Sequence, residues 1–436
     1  METTHDDIQA EAPTDHREPA GGWRTALARI PMLGWLFGGL SAVILEHFLG
    51  TALAQGVGLA KVPALLGCLI MLKTPLLIPR VLIFVVLIYL IPILVIARTF
   101  RDPANWLAAR LIRLPISVPV ILHLGLLYLI LHIWSDVSAY RVLTLKLTLI
   151  AVMMTLSLNV INGYMGEFSC SHPGFMALGA YAASVVTLLF FADDRIFGEA
   201  LLTDALGPFV FPLALVAGGF MAALGALVIA IPSFRTRGDY LAIISLAFMF
   251  IVKSMIENME IVGGPRGLGG QPNYAGLPTV FIWTVLCIWI INNFVRSTLG
   301  RSLNAVRDDE VAADAMTVNT RRTKIIAFMF AAFWAGVAGG LFAHVLRYVN
   351  PGTFGIQKLA EVLAMVYFGG LNSVYGSIVG GVSLSLLSEA LRPLEIFKWI
   401  IIPLLLILVM IFRPTGLIAF REFNVREIIR PKRQSE

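Results

Sequence analysis

The chain has 436 residues, a formal charge of +6, 58% apolar residues and only 14% charged ones, where a soluble globular protein carries roughly 25% charged residues. With a mean hydropathy of +0.83, that balance excludes a soluble enzyme, and its uncharged runs of about 20 residues exclude an outer-membrane barrel, whose strands are short and alternate. The basic excess fits cytoplasmic loops of a membrane protein and does not imply nucleic-acid binding.

Residues 1–30 are polar and acidic and lack the basic-then-apolar order of a cleaved signal peptide. They are expected to stay attached as a disordered cytoplasmic segment. About twelve apolar segments of helical length follow, near 32–54, 79–98, 114–134, 143–162, 174–191, 208–231, 240–257, 278–296, 324–347, 357–371, 376–392 and 397–412. Residues 55–72 read as a re-entrant piece or a further span, and 357–371 is short enough to stop inside the bilayer. The expected fold is therefore all-α, a polytopic integral membrane protein with about 10–12 transmembrane helices.

Basic residues set the orientation. Arg98, Arg101, Arg110 and Arg113 share one loop, and Arg235 and Arg237 another. Arg301, Arg307, Arg321, Arg322 and Lys324 fall in the long loop, and Arg421, Arg426, Arg430, Lys432 and Arg433 in the tail. Alternating the twelve segments places all of these and the N-terminus on one side, the cytoplasm. The opposite loops hold mostly single cations, Arg141, Arg195 and Arg266.

Polar residues inside spans are costly and so informative. Glu46 and His47 lie in the first span, Glu361 in the tenth and Glu389 in the eleventh. Each suits an interhelical hydrogen bond, and Glu46 or Glu361 would also suit a proton-coupled carrier. Between 159 and 181 a hydrophobic run breaks and a helix resumes. Asn159, Asn162, Glu167, Ser169 and His172 there form a candidate translocation path, Gly163, Gly166 and Gly174 permit unwinding, and Pro173 suits a first helical turn. The same residues also suit a plain cytoplasmic turn. Gly369, Gly370 and Gly376 in GGLNSVYGSIVGG (369–381) mark either tight helix packing or a hinge in a broken helix.

GGPRGLGG (263–270) is not a phosphate loop, since no Lys-Ser or Lys-Thr follows and no strand–helix unit holds it. It reads as a Gly-rich turn on the outer surface. Cys68, Cys170 and Cys287 have no metal spacing, and no metal site is expected. No HExxH, GxSxG or paired-carboxylate motif occurs, so no catalytic residue is assigned and the chain is not read as an enzyme.

The loop 297–323 is long, charged and rich in helix formers between two apolar spans. A short surface helix is expected within 303–318. Arg307 and Glu310 are three apart, close enough to pair on its face, with Asp308 and Asp309 beside them and Ala312 and Ala313 as small side chains; composition suits a solvated linker helix as well as insertion into a partner's groove.

RDDEVAADAM within that loop resembles the EAA coupling loop of ABC-transporter membrane subunits. The wider resemblance is to the branched-chain amino acid ABC permease family, in its LivM-type branch. LSLNVINGYMGEFSCSHPGFMALGAY (156–181), RTRGDYLAIISLAF (235–248), GGPRGLGG (263–270), GRSLNAVRDDEVAADAMTVNTRRTKIIAF (300–328), FGGLNSVYGSIVGG (368–381) and FRPTGL (412–417) carry it in the family's order. It covers about residues 145–420. The resemblance implies a core over 143–420; hydrophobic helices over 31–142 precede it, a stretch that matches the family only loosely, and a tail at 421–436 follows, placed in the cytoplasm by its basic residues. It implies a bacterial inner-membrane location, a second homologous permease subunit, two cytoplasmic ATPase subunits that bind ATP and Mg, and a periplasmic substrate-binding protein. Arg307, Asp308, Asp309, Glu310, Ala312 and Ala313 would form the ATPase-coupling loop, and this chain would hold no cofactor.

Three departures stand out. The loop usually carries Gly where Thr317 stands, Glu167 occupies a common Gln position, and Cys170 replaces a small or apolar residue. The expected cargo is a hydrophobic, branched-chain amino acid. Urea or a short amide is the alternative, and an ion-coupled secondary transporter is the reading outside this class.

Overall fold

The computed structural model describes residues 27, 29–63, 71, 74–191, 198–234, 240–413, 415–418 and 424–430. The expectations for most of residues 1–30, for Arg195, Arg235, Arg237, Arg421, Lys432 and Arg433, for Cys68, and for most of 64–72 fall outside the described residues.

The chain is all-α, as its apolar runs require, because a helix satisfies its own backbone where no water is available. Along the chain run α1 (Met32–Gly56), α2 (Pro75–Thr99), the short α3 (Arg101–Leu111), α4 (Ser117–Asp136), α5 (Ala139–Met165) and α6 (His172–Phe191). Next come α7 (Gly207–Ser233), α8 (Tyr240–Glu257) and α9 (Leu277–Arg296). The long loop holds α10 (Thr298–Asp308) and α11 (Glu310–Ala315) before α12 (Thr320–Leu346). Three shorter helices close the bundle: α13 (Ile356–Gly369), α14 (Val374–Ala390) and α15 (Lys398–Phe412). Nine helices among the described residues are long and apolar enough to cross a membrane. In α2, Pro92 removes a backbone donor, and the preceding turns widen to a π-turn over Val86–Leu90.

The core is α6, α7 and α12 packed backbone to backbone, with α5 beside them. A Cβ at Gly179 would collide with the backbone of Gly336, so only glycine lets α6 and α12 approach this closely. α1, α2 and α4 form a separate group. A sealed ion pair ties it to α5. Arg141 donates to Glu46 at 2.8 and 3.0 Å, and also to the carbonyls of Pro63 and Trp134 at 2.9 and 3.1 Å. Both side chains are 0–1% exposed. A buried bidentate pair with its remaining donors satisfied is a structural clamp.

The two ends of the bundle are distinct. One carries the loop with α10 and α11. The other carries the Gly-rich turn, where β1 (Leu268–Gly269) pairs antiparallel with β2 (Tyr348–Val349). GGPRGLGG is thus a backbone brace against the end of α12: Leu268 faces Val349, and Gly263, Gly264, Gly267 and Gly270 all take positive φ. α13 starts beside β2 and stops at Gly370, level with Asn159 of α5. With 14 residues it is about 21 Å long, short of a roughly 30 Å hydrocarbon core. The amides of Leu417 and Ile418 bond the carbonyls of Phe368 and Gly369 at 3.1 and 2.9 Å. The segment after α15 therefore supplies donors for the last carbonyls of α13, which would otherwise lie buried and unsatisfied.

Candidate functional site

The loop between α9 and α12 is two helices meeting at a corner, where a single surface helix was expected. Ser297 caps α10 by accepting from Gly300, and Leu303 and Val306 anchor its apolar face. At Asp309 the backbone becomes extended (φ −159°, ψ 108°), and its carboxylate accepts from the amides of Val311 and Ala312 at 2.9 Å each. An Asp at an N-cap satisfies donors that a continuous helix would bond to its own carbonyls, so α11 starts afresh there. The expected Arg307–Glu310 pair is consequently absent. Arg307 instead donates to Asp308 at 2.7 Å and reaches the Gly163 carbonyl at 3.4 Å. Its side chain lies against Gly166, whose φ of +75° and lack of Cβ make room for it.

Glu310 turns the other way, to Lys324 at the start of α12. The Lys324 ammonium binds Glu310 at 2.9 Å and Glu167 at 2.7 Å. One cation therefore joins the loop to the segment between α5 and α6. Lys324 is nearly buried, while Glu310 keeps half its surface exposed. Around this node the loop is open. Ala313 packs inward, but Asp308, Asp309, Ala312, Asp314 and Ala315 are exposed. Val311 and Met316 are 79% and 77% exposed. Thr317 closes α11 in the left-handed region (φ +66°), where a β-branched residue is strained and glycine would not be.

The candidate path residues separate into different roles. Asn159 holds the α13–α14 turn: its amide donates to Ser373 and Ser377, and its carbonyl accepts from Asn372. Gly163 lies against that turn, where a Cβ would meet the Asn372 amide. Gly369 and Gly376 bring α13 and α14 into backbone contact, and Gly370 (φ +123°) turns the chain between them. Asn162 accepts from the Ser169 amide at 3.3 Å, and Ser169 pairs with Ser171. His172 is fully buried and bonds Ser157 of α5, which in turn donates to Ala331 of α12. Gly174 packs on Phe248 and Met249 of α8. Cys170 donates its backbone amide to Ser245, and burial pushes its thiol above the ordinary range. Among the described residues no cluster of His, Cys, Asp and Glu is arranged to hold a metal.

Lys324 is the residue sequence reasoning undervalued, counting it only as loop charge. A signal was present: a carboxylate where the family commonly has an amide needs a nearby cation.

A family model described as branched-chain amino acid transport system / permease component matches residues 140–412. The chain belongs to this permease family. The high-affinity branched-chain amino acid transport system permease protein LivM of Escherichia coli K12 is 32% identical over 307 residues, 62% of this chain and 68% of that protein. LivM of Salmonella typhimurium is 31% identical over the same length. BraD of Pseudomonas aeruginosa, a permease protein of the same description, is 31% identical over 144 residues, 32% of this chain and 46% of that one. No solved structure matches. The permease match takes in the Lys324 node, the α13–α14 turn and the brace at the far end, and it begins at α5, so α1–α4 precede it.

Proposed function

We propose that this permease carries hydrophobic, branched-chain amino acids across the bacterial inner membrane as one subunit of an ATP-driven importer. Its partners in this reading are a second homologous permease, two cytoplasmic ATPases that bind ATP and Mg, and a periplasmic binding protein that delivers the cargo. The loop end faces the cytoplasm, where Arg301, Arg307, Arg321 and Arg322 belong.

The observation that carries the reading is the exposed α10–α11 corner tied by Lys324 to Glu167. Val311, Ala312 and Met316 offer a small apolar face with Glu310, Asp308 and Asp309 around it, a surface suited to a partner's groove. Motion of α11 on docking passes through Glu310 to Lys324 on α12 and through Glu167 to the segment leading into α6. Glu167 therefore acts in coupling and is not a ligand for the cargo's ammonium group, since it already holds one. In this reading the contacts of Asn159 with the α13–α14 turn, of Asn162 with Ser169 and of His172 with Ser157 rearrange during passage. Glu46 is locked to Arg141, and Glu361 pairs with Lys358 at 3.0 Å, which weighs against proton coupling through either acid.

Co-purification tests the docking. Glu310→Lys should reduce ATPase recovery with the permease, by about 1–3 kcal/mol if the contact is desolvated, without preventing membrane insertion. Unchanged recovery and uptake would refute the docking role, and ATP-driven uptake of urea in place of leucine would refute the cargo.

A further inference from the structure

A cleft of about 110 Å³ opens among α5, α6, α12, α13 and α14, on the side of the bundle away from the Lys324 node. Its lining runs from Thr144 to Met154 along α5, a rise of roughly 15 Å along the helix. The lining divides by chemistry. Lys358 and Glu361 from the first turns of α13, and Glu389 from the last turn of α14, bring charge to the mouth. Ile150, Met154, Met176 and Met365 make the deeper wall apolar.

Charges inside a helical bundle are costly and need a reason. The same molecule supplies a comparison. Arg141 and Glu46 are sealed and bidentate, as a structural pair should be. Lys358 makes a single 3.0 Å contact to Glu361, sits 5.5 Å from the Phe342 ring, and both partners keep partial exposure, 19% and 30%, beside the cleft. An ammonium has three donors, so this pair leaves Lys358 with capacity for an anion. Glu389 accepts from Tyr140 at 2.7 Å and from Arg392 at 3.0 Å, with its second oxygen free of both.

We propose that this cleft is a cargo station for a zwitterion with an apolar side chain. The cargo carboxylate meets Lys358, its ammonium meets Glu361 with Glu389 behind it, and its side chain lies against Met154, Met176 and Met365. Methionine adapts its shape, so this wall accepts several branched side chains. A neutral amide would not use the ion pair. The inference rests on the amino-acid reading above and adds the site.

The test uses the permease reconstituted with its partner subunits. Ala151, on the cleft wall, is replaced by Cys in a background where Cys68, Cys170 and Cys287 are changed to Ala, and the rate of thiol labelling is measured. Leucine should slow labelling, while urea and 4-methylpentanoate, which lacks the ammonium, should not. Lys358→Met should raise the KM for leucine uptake about tenfold or more, and Lys358→Arg should retain uptake. Leucine uptake without any leucine protection at position 151 overturns the site and leaves the amino-acid reading standing. No leucine uptake by the intact complex overturns both.

Discussion

Replacing Lys324 by Met removes one cation from two carboxylates, and the cost follows from the geometry. The 2.7 Å contact to Glu167 is largely shielded, whereas Glu310 is 52% exposed. A shielded charge-assisted contact contributes about 1.5–3 kcal/mol, and a solvent-facing one contributes about 1 kcal/mol or less. The lost contacts therefore amount to about 1.5–4 kcal/mol. The two carboxylates are also left facing each other. Their bonded oxygens lie at most 2.7 + 2.9 = 5.6 Å apart, which at an effective dielectric near 20 is at least ~3 kcal/mol of repulsion before Glu310 swings into water. Glu167→Gln alone should cost at most that shielded contact, about 1–3 kcal/mol, because the Gln carbonyl can still accept from Lys324 and Lys324 keeps Glu310. With both changes the repulsion disappears, so the double variant should be more stable than the sum of the two singles by about 1–2 kcal/mol. Unfolding free energies in detergent for all four chains form the cycle, and uptake per assembled complex should fall in the order of the stability losses at this node. Strict additivity within about 0.3–0.5 kcal/mol would refute a Lys324-centred link between the loop and the α5–α6 segment.

Thr317→Gly should stabilise the end of α11 by about 1 kcal/mol, because a left-handed non-glycine residue costs roughly 1–2 kcal/mol and glycine returns part of that as chain entropy; slower amide exchange at residues 315–318 supports this, and faster exchange contradicts it. Glu46→Gln should destabilise the protein by about 3–5 kcal/mol by leaving Arg141 buried without its partner. Uptake normalised to folded complex should stay at the wild-type rate, whereas abolished uptake in a fully folded variant would make Glu46 a coupling acid.

The apolar runs made the helices legible: each of the twelve segments read from hydropathy corresponds to a helix, with α13 stopping short as its length suggested. The loop's charge was legible too, but not which of Asp308 and Asp309 would cap a helix, and that choice decides where Glu310 points. Pairings across the chain were out of reach. Lys324 and Glu167 are 157 residues apart, and periodicity carries no information about which charged side chains meet. Thr317 was recognisable because glycine's usual presence at that place reflects a backbone requirement, and the φ of +66° supplies it. The polar run 159–172 read as one unit, yet Asn159 faces the α13–α14 turn, Glu167 faces Lys324, and His172 faces Ser157. Single-sequence spacing cannot separate residues of one short segment that point to three different helices.

Leucine uptake into proteoliposomes bearing the permease with its partner ATPases, second permease and binding protein, with ATP either enclosed with the ATPases or omitted, decides the central question. An ATP-driven permease accumulates leucine only when ATP is present and loses that accumulation with Glu310→Lys. Accumulation without ATP, driven by a proton gradient and indifferent to Glu310→Lys, would contradict it.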